Sequence, residues 1–237
     1  MKSNMVKLYT RELAGYFNAP TAYVIITVFL IISGYFFAQP LFLINQATLR
    51  SFTDISPLLF SFLAPAVTMR LFAEERKSGT IEVLFTLPLN ETEILIAKYL
   101  AAVTLMGAIL LMTLVYPVTI FVLGRPDVGS IFTSYLALFL TASVFAAAGI
   151  FSSALTANQV VSFIIGFLLC FSLYLFGKLN MFMPGWLAPL TNFLGIDSHF
   201  ANMAKGILDF RDILYYFSLI FMFLFLAQIK LWSLKYD

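Results

Sequence analysis

Chemistry has few places to happen in this chain. Its 237 residues carry 12 carboxylates, one histidine and one cysteine. Five of the carboxylates fall in one stretch, EERKSGTIEVLFTLPLNETEILIAKYL (residues 74–100), as Glu74, Glu75, Glu82, Glu91 and Glu93 beside Arg76, Lys77 and Lys98. Neither G-x-S-x-G nor H-E-x-x-H occurs, and a lone His199 rules out most zinc and triad arrangements. The string nearest to a phosphate-binding loop, around Gly177 and Lys178, lacks the first glycine and the hydroxyl, so the chain is not expected to hydrolyse ATP or to be an enzyme. Cys170 lies inside an apolar segment and reads as a small buried hydrophobe. Met181, Met183, Met203 and His199 share one loop, and thioether and imidazole groups suit Cu(I). The simpler reading is that these methionines fill irregular apolar gaps, and no metal or cofactor is expected.

The elements that must position the charged stretch lie in a bilayer. Hydrophobic residues make up 61% of the chain and charged ones 11%, with mean hydropathy +0.95, against about 25% charged in soluble domains. The apolar blocks are long enough to cross a hydrocarbon core as helices, and strand-like alternation is absent, which predicts an all-α polytopic fold. Six spans are expected, at about 20–38, 57–73, 94–123, 131–152, 160–177 and 213–232. With the N-terminus inside, nine basic residues fall on inner segments and five on outer loops, which favours cytoplasmic N- and C-termini. Tyr215, Tyr216, Trp232 and Tyr236 bracket the last span as interfacial anchors. The first span reads as uncleaved, since it is longer than a signal h-region and bulky Phe36 stands where a small residue is wanted.

Residues 3–18 place Val6, Tyr9, Leu13, Tyr16 and Phe17 on one helical face, with Lys7, Arg11 and Glu12 away from it, so an amphipathic helix lying on the inner surface is predicted. Residues 128–177 carry no formal charge, and SSALTANQ (Ser152 to Gln159) marks the turn between the fourth and fifth spans. Ahead of that turn Ala142, Ala146, Gly149, Ser153 and Ala157 share a face that packs against a neighbouring helix or meets lipid, with packing expected. The loop 178–212 is apolar enough that short helical pieces in or near the outer interface are predicted. No ionisable relay runs through the spans, as ion-coupled transport would need. Arg70, near an inner end, reads as an anchor that snorkels to the interface.

Within the charged stretch, Gly79 permits a sharp turn, TIEVLFTL makes about two helical turns, and Pro88 ends them. Asn90 and Glu93 then form a capping-box-like start for the third span. Ile81, Val83, Leu84, Phe85 and Leu87 make the short helix apolar on nearly all sides; lipid can cover only one, so a protein partner is expected on another.

This stretch resembles the cytoplasmic coupling segment of ABC-2 type transporter permeases, and GIFSSALTANQVVSF (149–163) and HFANMAKGILDFRDILYY (199–216) resemble further segments of that family. The nearest likeness is to gliding-motility-associated and nitrous-oxide-reductase-maturation-like permeases. The resemblance covers essentially the whole chain as one transmembrane domain: an N-terminal interfacial helix (1–19), six spans, a coupling segment (74–93) and an outer re-entrant or interfacial region (178–212). It implies a permease of the bacterial cytoplasmic membrane that pairs with a second permease chain, identical or similar, and with two ATP-binding subunits. No nucleic acid partner is implied. Glu75, Arg76, Gly79, Glu82, Leu84 and Pro88 would occupy the positions that meet the ATPase. The third span, drawn as one helix over 91–123, would reach about 48 Å and carry ATP-driven motion into the bilayer. The implied role is transport, in gliding motility or secretion; the alternative is a scaffold of the same fold that assembles such a machine without moving a solute.

Overall fold

The computed structural model describes residues 2–85, 89–124, 126–179, 193 and 195–236. Every regular element among them is a helix. They are α1 (Lys2–Asn18), α2 (Pro20–Leu43), α3 (Arg50–Thr68), α4 (Ala73–Lys77), α5 (Thr80–Phe85), α6 (Glu91–Met112), α7 (Val115–Leu123), α8 (Val128–Leu155), α9 (Gln159–Leu179), α10 (Ile196–Ala204) and α11 (Phe210–Tyr236). Six helical stretches are long and apolar enough to cross a membrane, with α3–α4 and α6–α7 each counting as one. The chain is a multi-pass membrane protein, and α1 and the last turns of α11 both meet the start of α6 at one end of the bundle, here the α1 end.

The bundle is built around α8. Along its most apolar stretch 83% of residues are buried, against 17% for α9 and 28% for α2 and α11, so α8 is the axis and those three expose outer faces. Ala142, Ala146, Gly149 and Ser153 are all buried, which settles the small-residue face as a packing face; Ala157 lies beyond the helix end at Leu155. Gly149 shows why size matters there. A Cβ on it would strike Thr68 Oγ1 and come within 3.4 Å of the Pro65 Cα, so α3 and α8 touch backbone to backbone.

Several expected boundaries move for local reasons. The second span starts at Arg50 rather than near 57, because Thr48 Oγ1 accepts from Arg50 N (3.2 Å) and Arg50 pairs with Asp54 at i,i+4 on an exposed face. The first span runs past Pro40 to Leu43, and the Pro40 carbonyl accepts from both Ile44 N and Gln46 N. The third span is not one helix: it breaks into α6 and α7 at Thr113 and Leu114. Pro117 is the physical cause, having no N–H to bond the Thr113 carbonyl. That carbonyl instead accepts from Tyr116 N and from the Tyr135 hydroxyl, each at 2.9 Å.

α1 corrects the predicted helical face. Leu8 is buried, and Met5, Tyr9 and Tyr16 pack on the core, whereas Val6 and Phe17 are exposed. Glu12 sits on the packed side, not away from it, for a reason given below. In the 178–212 region, residues 180–192 and 194 lie outside the described residues. The described part contains α10, with Ile196, Phe200 and Met203 buried.

Candidate functional site

The charged stretch leaves α3 through a tight turn and re-enters the bundle as α6. Glu74 and Glu75 occupy the first turn of α4 and Arg76 and Lys77 its last, each sign complementing the backbone dipole. Ser78 stops the helix: its N–H and its Oγ both donate to the Glu74 carbonyl, at 3.0 and 2.9 Å. Gly79 then reverses the chain at φ +72°, a conformation that costs glycine nothing and strains other residues. α5 follows as the separate short helix that the sequence predicts, and Asn90 N donates to Glu93 Oε2 at 3.0 Å to open α6.

The root of this segment is fastened on three sides. Ser153 Oγ accepts from Phe72 N (3.0 Å) and Ala73 N (3.1 Å) and bonds the Met69 carbonyl, so one hydroxyl from α8 holds the chain where α3 gives way to α4. Arg76 Nη1 donates to the Ala154 carbonyl at 2.9 Å. Lys98 of α6, 1% exposed, donates to Glu75 Oε1 at 2.7 Å and to Glu12 Oε1 of α1 at 2.8 Å, with the Phe72 ring 5.3 Å away. An ammonium this dry needs anionic partners, and this need draws Glu12 inward. A cavity of about 250 Å³ opens beside the cluster, lined by Glu12, Tyr16, Arg70, Glu74, Glu75 and Lys98. Glu75 Oε2 is buried with no hydrogen-bond partner among the described residues. Tyr16 donates to the Val67 carbonyl at 3.2 Å; burial first, and the nearby Glu12 charge second, push its hydroxyl well above the ordinary phenol range, so it stays a donor. Arg70 donates to Thr21 Oγ1 at 3.0 Å, which ties α2 to the end of α3. The last helix joins the same end, with Lys235 paired to Glu91 and Gln228 bonded to Thr92.

The opposite end is built differently. His199 Nδ1 meets Asp212 Oδ1 at 2.6 Å and the ring stacks on Tyr215, while Lys178 pairs with Asp197 at 2.7 Å. Met203 is part of the core, Met181 and Met183 lie outside the described residues, and no group of three or more His, Cys, Asp or Glu side chains suited to a metal occurs among those described. Cys170 is buried beside the Phe145 carbonyl.

Comparison with protein families assigns this architecture. The model of the ABC-2 family transporter protein matches residues 31–229, most of the chain and nearly all of the six crossings. The chain belongs to the ABC-2 transporter family. None of the curated proteins compared with it matches. As an ABC transporter permease it works with an ABC ATPase.

In this ABC-2 permease the described ones among the six residues marked by resemblance face different ways. Glu75 and Arg76 are turned inward, to Lys98 and Ala154; Gly79 makes the reversal; Glu82 is exposed on α5. Leu84 lies in α5 with its side chain outside the description, and Pro88 is outside the described residues. Sequence reasoning missed Glu12, Lys98 and Ser153. Their only signals were the single acidic residue of α1, the single basic residue of α6, and one of two adjacent serines in a row of small residues.

Proposed function

We propose that residues 74–93 of this ABC-2 permease dock its ATPase, and that ATP-driven movement of the ATPase reaches the membrane helices through this segment. The observation that carries the reading is the build of α4–α5. A short helix with Glu82 exposed hangs from a glycine reversal, while its root is tied to α1, α6 and α8. Such a part can be gripped from outside and pull on three helices at once. The excess of basic residues on segments at the α1 end supports placing that end in the bacterial cytoplasm, with both termini inside. The chain itself does no catalysis in this reading. Two permease chains, identical or similar, and two ATPase subunits form the working unit, and the likeness to gliding-motility-associated permeases supports export or uptake of a cargo in motility or secretion.

Reversing the exposed charge tests the docking. Glu82→Lys is expected to insert and fold normally yet to recover less ATPase on co-purification, because close charge pairs at an interface can couple by a few kcal/mol, on the order of 2. Undiminished recovery together with full ATP hydrolysis would overturn the docking assignment.

A further inference from the structure

We propose that Lys98 is a positioning residue for coupling: one ammonium on the third span joins the docking segment, through Glu75, to the N-terminal helix, through Glu12, so that the three elements respond to the ATPase as one. The proposal rests on the docking reading above and adds the route by which displacement leaves the segment.

Geometry makes the case. Lys98 sits two helical turns inside α6 and is shut off from water, with carboxylate oxygens at 2.7 and 2.8 Å from elements 23 and 86 residues away in sequence. The Phe72 ring stands 5.3 Å from the ammonium. A buried ammonium cannot give up all its partners at once, since water is not there to replace them. Two carboxylates on one cation solve this. When the segment moves, Glu75 can swing toward the cavity of about 250 Å³ beside it, where its second oxygen has no partner among the described residues, while Glu12 keeps Lys98 neutralised. Arg70, the other cation at that cavity, is already bonded to Thr21, and Arg76 to Ala154. Lys98 is the cation that the structure pairs with Glu75, and so the one that a moving Glu75 would leave and rejoin.

The test uses the permease–ATPase complex in lipid nanodiscs, with an environment-sensitive fluorophore on Leu208→Cys, an exposed position at the far end of the bundle. Trapping with ATP and vanadate is expected to change the signal in the otherwise unaltered complex. Lys98→Met should retain its ATPase on co-purification but lose at least fivefold of that change. Lys98→Arg, which can also bridge two carboxylates, should keep more than half of it. Should Lys98→Met fail to assemble, Glu75→Gln, close to isosteric, is expected to show the same loss. An undiminished change in the methionine or glutamine variant, failure of arginine to rescue, or no change in the unaltered complex would each overturn the proposal. Co-purification of Glu82→Lys reads the docking assignment separately: normal docking of that variant with a lost response in Lys98→Met would sink the docking face and leave Lys98 standing.

Discussion

At the scale of single residues, a few polar groups in this permease hold together segments that hydrophobicity alone would leave loose. Ser153 is the sharpest case. Its hydroxyl satisfies two buried backbone donors at the α3–α4 junction. Ser153→Ala is expected to destabilise the protein by about 1–3 kcal/mol for each donor left without an acceptor. A lower unfolding midpoint in detergent, with unchanged expression in the membrane, is the check; a midpoint equal to that of the unaltered protein would mean the junction finds another acceptor.

At the scale of elements, close approach and breakage matter more than helix propensity. α3 and α8 meet where Gly149 faces Thr68 and Pro65, so Gly149→Val should force the two apart and cost about 1–3 kcal/mol by overpacking. Because the proposed docking segment is anchored to α8 just one turn further on, at Ser153, the same variant should also weaken ATPase recovery. Co-purification and thermal unfolding, measured together, separate a local displacement from general loss of protein. The α6–α7 break bears on mechanism too. Thr113 and Leu114 interrupt the third span, so motion entering at Lys98, as proposed, would travel first through α6 alone, a helix of 22 residues, and not through one rod across the membrane.

At the scale of the molecule, one chain supplies six crossings and a filled core. Phe52, Phe60, Phe145, Met106 and Tyr216 are completely buried, and α8 occupies the centre where a conduit would have to run. In the proposed working unit a pathway open alternately to both sides would run between two chains, along faces that a single copy exposes. In the bilayer such faces are held by packing, not by a gradient of hydrophobicity. Light scattering of the ATPase complex in detergent, corrected for bound detergent, is expected to give two permease chains and two ATPase subunits. A stable, active assembly with one permease chain would contradict it.

Composition and periodicity by themselves determined the all-helical class, the six crossings, the separate short helix after Gly79 and the glutamate-capped start of α6. Each of these follows from neighbours within a few residues, where helix geometry, glycine and proline act directly. Only the tertiary structure decided that Glu12 faces inward, that Glu75 and Arg76 anchor the α4–α5 segment, and that Ser153 is a clasp. Those outcomes depend on contacts between residues 23 to 86 positions apart, made because a buried charge or backbone donor must find its partner wherever packing brings one within reach.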